Sequence, residues 1–306
     1  MFKYLKTVKY LFLISMFLFA YSCGNDNNEQ NSEEQIEENL EVEIDSNATT
    51  IVQYNNTLFS IPSPYEIGFL VKRLKMDYNP DILNPSNKAG NYASNFKKVL
   101  NLGVYGSDLG YLNIYDQIKD AGKYFGVIKI LTQELNISSA FDKKTIESVE
   151  RNMNSGNKDS LMFIITNSYR KADEYLENNN RESVGELILA GGWIESLYFL
   201  VELNAESNDE QLIRRIAEQK HPLDNIIKIL SPYYNKSDEY KNLIESLVDL
   251  AYDFDAIDLT YTYEEPEVHP EKKLTIIKSQ SDVTVTDKQL KIIRDKVRKI
   301  RQSIVD

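Results

Sequence analysis

The feature that most constrains the fold is the recurrence of apolar residues at intervals of three and four over residues 50 to about 264. This spacing lines apolar side chains along one face of an α-helix, whereas a half-buried strand would need strict alternation. Short segments rich in Asn, Ser, Asp and Pro, such as 136–139 and 231–232, separate the apolar periods. Loops this short make neighbouring helices antiparallel. The sequence therefore predicts an all-α fold in the form of a multi-helix bundle.

The cysteine content limits how such a bundle can be stabilised. Among 306 residues there is one cysteine, Cys23. No disulfide can form within the chain, so the fold must depend on its hydrophobic core or on a partner.

The N-terminus has the anatomy of a secretion signal. Lys3, Lys6 and Lys9 precede an eleven-residue apolar stretch at 10–20. That stretch is too short for a helix to cross a hydrocarbon layer of roughly 30 Å. We interpret residues 1–22 as a signal peptide.

The residues around the cysteine indicate a lipid anchor. Ala20-Tyr21-Ser22-Cys23 resembles the lipobox of bacterial lipoproteins, although Tyr21 stands where a small residue is usual. The resemblance implies that Cys23 is acylated, with palmitate-type chains, and tethers the mature protein to a membrane. The alternative is an ordinary secreted protein with one free thiol.

Residues 23–49 carry acidic side chains and no Lys or Arg. Such a segment repels itself, and we interpret it as a disordered acidic tether. Acidic residues after a lipidated cysteine also resemble the surface-export signals of Bacteroidota lipoproteins, whereas a simple solvated spacer would have the same composition. The expected location is the outer membrane, lipid-anchored and either periplasmic or surface-exposed. A net charge of −12 argues against nucleic acid as a ligand.

We assign residues 50–264 to one helical domain. Its first helix is predicted to start at Ser63-Pro64-Tyr65-Glu66, which combines an S-x-x-E capping box with Pro at the first helical position. Further helices are predicted near 88–101, 104–119, 121–135, 142–154, 158–178, 183–203, 208–219, 223–231 and 237–254.

Residues 265–306 form a C-terminal extension of different character. It starts with a short irregular or β segment, in which 275–277 and 283–285 are candidate strands. Thr286 and Gln289 then form a second capping box, and apolar residues follow at 290, 293, 297, 300 and 304. This amphipathic helix carries seven basic and three acidic residues. We expect it to dock on the acidic helical body; a partner helix or an anionic lipid surface are the alternatives.

Three collinear matches raise the hypothesis of an internal duplication. Residues 103–112 can be laid over 191–200, 127–131 over 226–230, and 146–149 over 244–247. The hypothesis is that two similar helical halves, 95–160 and 183–255, pack together.

Three glycines, Gly103, Gly106 and Gly110, fall on one face of a predicted helix. Each costs about 1 kcal/mol relative to Ala, so something must compensate. We expect close packing of a second helix. The alternative is a ligand groove, with stacking surfaces and acceptors supplied by Tyr105, Asp108, Tyr111, Trp193 and Glu195.

Three further segments carry a family resemblance. Residues 61–67, 92–97 and 100–109 resemble segments of uncharacterised helical lipoproteins of Bacteroidota, and the resemblance covers 51–255. It implies a lipid anchor and a helical fold, and it brings no activity, cofactor or catalytic residue with it.

The sequence contains no catalytic signature. With two histidines, His221 and His269, and one isolated E-x-x-H, we predict no metal site and no cofactor. The first hypothesis is a non-enzymatic envelope lipoprotein that binds a protein or glycan. The alternative is a carboxylate-based envelope hydrolase, which would need a cleft with two acids about 5 to 9.5 Å apart. A purely structural spacer or assembly subunit is the third.

Overall fold

The computed structural model describes residues 49–54, 57–62, 70–141, 143–157, 160, 161, 164, 172, 174–272 and 274–306. The chain divides into two units, Met1–Ile44 and Asp45–Asp306, and all described residues belong to the second. The signal peptide, most of the tether, the capping box at 63–66 and most of the helix predicted at 158–178 lie outside the described residues.

The all-α, multi-helix prediction is confirmed. We number the described helices α1 to α8 in chain order. Their bounds are Asn95–Ile114 (α1), Ile118–Glu134 (α2), Lys143–Ser155 (α3), Glu182–Ser207 (α4), Glu210–Ala217 (α5), Lys220–Leu230 (α6), Asp238–Asp255 (α7) and Asp287–Val305 (α8).

The first prediction to be corrected is the boundary between helices at 88–101 and 104–119. The structure has a 3-10 segment at Ser86–Asn91 and then one continuous helix, α1, through Gly103. A glycine inside an apolar period resembles a helix end in sequence. Here Gly103 lies where a second helix crosses, so its missing side chain serves packing and does not break the helix.

Helices α1 and α4 form the centre of the bundle. Every residue of α1 from Val99 to Ile114 is buried, and α4 is buried over most of its length. By length and composition α4 is apolar enough to cross a membrane, but 78% of its most apolar window is buried inside the protein. That burial is what the core helix of a bundle shows.

The C-terminal helix docks on this body, as expected. Thr286 accepts from the Gln289 backbone N–H and the Gln289 side chain accepts from the Thr286 N–H, which confirms the capping box. The predicted apolar stripe at 290, 293, 297, 300 and 304 is buried. The charges on both sides of the stripe also pair with the body. Lys296 lies 2.8 Å from Asp249 and 2.5 Å from Asp253, and Lys88 lies 2.8 Å from Asp306.

Two β-hairpins accompany the helices. Strands β1 (Thr49–Tyr54) and β2 (Thr57–Pro62) pair antiparallel in a stretch that precedes the first predicted helix and for which no strand was predicted. Their sequences, TTIVQY and TLFSIP, are rich in β-branched and aromatic residues, a local signal that the helical period elsewhere obscured.

The second hairpin, between α7 and α8, is a long ribbon. Strand β3 (Asp258–Thr262) pairs with β6 (Gln280–Thr284), and β4 (Glu267–His269) pairs with β5 (Leu274–Ile276), both antiparallel. The Ser279 hydroxyl joins the two pairs, because it contacts the backbone N–H and carbonyl of Glu264 at 3.1 Å each. We call residues 258–284 the β-arm. The strands predicted at 275–277 and 283–285 correspond to β5 and β6, shifted toward the N-terminus.

Candidate functional site

The five residues of the predicted ligand groove are all buried. Tyr105, Asp108 and Tyr111 lie on α1, and Trp193 and Glu195 lie on α4; none is more than 2% exposed. The groove prediction is therefore corrected, because the structure has a packed seam at these side chains and not a solvent-open surface. The reason is that α1 and α4 cross closely at glycines.

The crossing depends on Gly103 and Gly191. A Cβ added to Gly103 would lie 2.0 Å from the backbone oxygen of Ile188, and one added to Gly191 would lie 2.0 Å from the backbone oxygen of Leu100. Both distances are far below van der Waals contact, so neither position accepts a side chain at this separation. This confirms close helix packing as the compensation for Gly103.

The two contacts are reciprocal. Gly191 and Ile188 stand 88 positions after Gly103 and Leu100, the offset of the first match between the proposed halves. Gly103 packs against Ile188, and its counterpart Gly191 packs against Leu100, the counterpart of Ile188. Two copies of one surface make such paired contacts around a two-fold axis. The contact is what the duplication hypothesis predicts. Superposition of the complete halves is its further test.

An acidic pair lies beside the crossing. Asp108 and Glu195 are both 0% exposed. Burial, followed by the negative charge of Glu195, raises the pKa of Asp108 well above its usual range, and Arg301 opposes this. Burial likewise raises the pKa of Glu195, again against Arg301. Neither carboxyl oxygen of Asp108 completes a hydrogen bond. One guanidinium thus serves two carboxyls, which favours a protonated Asp108 beside an ionised Glu195.

The third member of the cluster, Arg301, comes from α8. Its Nε donates to Oε2 of Glu195 and its Nη2 donates to Oε1, each at 2.7 Å. Nη2 also donates to the backbone oxygen of Ile82 at 3.2 Å, and the guanidinium lies 4.2 Å from the ring centroid of Tyr198. A planar guanidinium suits this two-point contact and the stacking on the ring. Arg301 therefore joins α8 to α4 and to the segment before α1.

Polar side chains of α1 and of the segment before it extend the cluster. The Tyr92 and Tyr105 hydroxyls lie 3.0 Å apart, and Tyr105 donates to the backbone oxygen of Pro85 at 3.0 Å. Asn84 donates to Tyr92 at 2.9 Å and to Asn101 at 3.2 Å. Asn101 in turn donates to the backbone oxygen of Ile304 at 2.8 Å. These bonds connect the segment before α1 with α1 and with the end of α8.

The remaining groove candidates have structural partners of their own. Trp193 donates its indole N–H to Gln219 at 3.1 Å. The Tyr111 hydroxyl accepts from the backbone N–H of Asn79 at 3.1 Å, and its ring lies 5.1 Å from that of Phe199. The structure brings Asp108 and Glu195 together, with Tyr105 nearby, and places Tyr111 and Trp193 in separate contacts.

Sequence analysis missed Arg301. The signal was its position, four residues after Val297 and three before Ile304, which places a charge on the apolar side of α8. A charge there needs a buried partner, and Glu195 on α4 supplies it.

The cluster fits a structural role better than a catalytic one. Its two acids have no exposed surface, and the Arg301 side chain is 11% exposed. Among the described residues, no three His, Cys, Asp or Glu side chains lie together as a metal site would require. The two-point ion pair of Arg301 with Glu195 joins α8 to α4 beside Asp108 of α1, and a substrate has no surface to contact here.

Comparisons with protein-family models, with curated proteins and with solved structures return no match for this chain.

Proposed function

We propose that this protein is a lipid-anchored cell-envelope protein with a non-catalytic role, and that it contacts a protein partner through the β-arm. The observation that carries the proposal is the distribution of exposed apolar side chains. Six of the nine large apolar side chains exposed among the described residues belong to the β-arm. They are Tyr261, Tyr263, Val268, Leu274, Ile276 and Ile277.

These side chains are strongly exposed. Ile277 is 75% exposed, Tyr263 68% and Val268 61%. Single exposed apolar residues are ordinary, but exposed apolar residues concentrated on one segment favour a surface that becomes covered by a partner. By the strand register, Leu274 and Ile276 lie on one face of the ribbon and Val268 lies on the other. The concentration on one ribbon, with a well-packed helical body beside it, supports binding as the role of this segment.

The chemistry of the β-arm favours protein over glycan. Val268, Leu274, Ile276 and Ile277 present aliphatic groups, which gain by burial against other apolar groups. Glycan sites need convergent hydrogen-bonding groups on a preformed surface, and the best-connected polar cluster described above is buried beneath α8. A protein partner is therefore the proposal.

The hydrolase alternative receives no support from the acid pair. Asp108 and Glu195 have the raised pKa values that often mark catalytic acids. A glycosidase pair, however, must leave room for a sugar and a water between its carboxyls, and this pair is buried and covered by Arg301.

The membrane anchor is supported by the sequence around Cys23. A lysine-rich start, an apolar stretch at 10–20 and a following cysteine give the signal its lipoprotein character. The test is metabolic labelling with an alkyne-bearing palmitate analogue in the native host. Wild type should be labelled and should fractionate with membranes, and Cys23→Ala should do neither. An unlabelled wild-type protein would contradict the anchor. Protease treatment of intact cells then distinguishes the cell surface from the periplasm.

The binding role is tested by photo-crosslinking in intact cells. A benzophenone amino acid placed at Val268 or Ile277 should give discrete crosslinked products. The same group at Tyr252 on α7 or Ile130 on α2, which are 71% and 49% exposed, is the matched control away from the β-arm. Products from the β-arm positions alone support the proposal. Equal products from all four positions, or none from the arm, would refute it.

A further inference from the structure

The β-arm joins the helical body through two short connections. Residues 256–257 lead from α7 into β3, and residues 285–286 lead from β6 into α8. Little apolar surface is buried where the arm begins, because only Leu259 among the five residues of β3 is half-buried and the other four are exposed. Polar contacts at these connections are therefore important for the way the arm is attached.

One side chain, Gln289, contacts both connections. Its Oε1 accepts from the Thr286 backbone N–H at 2.8 Å and from the Thr286 hydroxyl at 2.7 Å. Its Nε2 donates to the backbone oxygen of Ala256 at 2.8 Å. Ala256 and Gln289 are 33 residues apart in the chain, and the whole β-arm lies between them.

These bonds cap two helices at once. Ala256 directly follows α7, where the last carbonyl groups of a helix have no partner within the helix. Thr286 is the N-cap of α8. The Gln289 side chain thus joins the end of the helix before the β-arm to the start of the helix after it.

The amide of Gln289 is what permits the second contact. A capping box needs only an acceptor at this position, so Glu and Gln both serve, and the helix dipole favours the carboxylate. A carboxylate cannot donate a hydrogen bond, whereas an amide accepts through its oxygen and donates through its nitrogen. The bond to Ala256 therefore depends on Gln, although the cap of α8 does not.

From this geometry we infer that Gln289 is a positioning residue that fixes the direction in which the β-arm leaves the helical body. Where the inference concerns a partner, it rests on the proposed function. Binding to an arm that is already held in one direction loses less conformational freedom than binding to a loose one. The contact at Gln289 would then favour the partner complex without touching the partner.

The first test is hydrogen exchange, measured by mass spectrometry on the purified full chain of Gln289→Glu. This variant keeps the acceptor for Thr286, loses the donor to Ala256, and places a carboxylate near the Ala256 carbonyl. We expect the amides of β3 to exchange about five- to tenfold faster, because a hydrogen bond that holds the strand to α7 is lost. The first turn of α8 should exchange no faster, since its cap is kept. Unchanged exchange in β3, or equal acceleration in the first turn of α8, would overturn the inference.

Gln302→Glu is the matched control on the same helix. It makes the same chemical change at the other end of α8, where the Gln302 amide donates to Asp306. The β-arm should exchange at the wild-type rate in this variant. If both variants accelerate the β-arm alike, the cause is the added charge on α8 and the inference fails.

Thr286→Ala gives the opposite pattern. It removes the hydroxyl that caps α8 and leaves the bond from Gln289 to Ala256 in place. The first turn of α8 should exchange faster, and β3 should not. Acceleration of β3 equal to that in the first turn of α8 would contradict a separate role for the bond to Ala256.

Photo-crosslinking from Val268 in intact cells connects the contact to binding. Gln289→Glu should lower the yield of the crosslinked product several-fold, whereas Gln302→Glu should leave it unchanged. Faster exchange in β3 with an unchanged yield would overturn the role of Gln289 in presenting the arm to a partner. If the wild-type arm gives no product, the proposed binding role fails, and the exchange rates still decide whether Gln289 fixes the β-arm.

Discussion

Replacing Arg301 tests whether the buried cluster stabilises the fold in the way its geometry indicates. In Arg301→Met the apolar stem is kept and the guanidinium is lost. Glu195 and Asp108, both 0% exposed, then have no cation. Breaking a buried ion pair by removing one partner costs about 3–5 kcal/mol. We expect a loss of that size in the free energy of unfolding, measured by urea denaturation with far-UV circular dichroism at pH 8.

The chain offers a matched control three residues away. Arg298 on the same helix also binds a carboxylate at two points, Glu202, at 2.6 Å each, but its side chain is 47% exposed. An exposed pair contributes about 0–1 kcal/mol. Arg298→Met should therefore cost far less than Arg301→Met, although each variant loses a two-point contact with a carboxylate; Arg301→Met also loses the hydrogen bond to the backbone oxygen of Ile82.

The loss of stability in Arg301→Met should depend on pH in a definite direction. Without Arg301, the two carboxyls can avoid buried charge only by binding protons, which acid supplies. The cost of Arg301→Met should shrink from pH 8 to pH 5, and the neutral triple variant Asp108→Asn, Glu195→Gln, Arg301→Met should recover most of the lost stability. Equal costs for Arg301→Met and Arg298→Met, at either pH, would refute the argument.

Three further changes follow from the same contacts. Asp108→Asn should stabilise the protein at pH 8 by on the order of 1 kcal/mol. The raised carboxyl pKa of Asp108 means that the free energy of unfolding of the wild type falls as the pH rises through that pKa. The urea midpoints measured at pH 5 and pH 8 should therefore lie closer together in the variant than in the wild type. Gly103→Ala should destabilise by about 1–3 kcal/mol through overpacking, whereas Gly122→Ala, where an added Cβ meets nothing within 4 Å, should stabilise by up to about 1 kcal/mol; thermal melts of the two variants that shift alike would contradict the helix crossing. Truncation before Thr286 should abolish cooperative unfolding, since α8 covers the core; a truncated chain with an unchanged melt would show that α8 serves a partner.

The sequence by itself determined those parts that depend on neighbours a few residues apart. Helical periods, the Thr286 capping box and the apolar stripe of α8 are local patterns, and the structure has them, apart from the helix boundary predicted near Gly103. The sequence also indicated that Gly103 and Gly191 are equivalent positions, because residues 103–112 match residues 191–200 at an offset of 88.

Only the tertiary structure decided what those elements meet. Arg301 and Glu195 are 106 residues apart in the chain, and Asp108 lies on a third helix, so no local pattern connects them. The same glycine that resembles a helix end in sequence becomes a crossing point once α4 lies against it. The aromatic and acidic residues expected around a ligand lie in a closed core, because a bundle without disulfides gains its stability by excluding water from such surfaces. The β-arm remains as the exposed apolar surface that a partner can cover.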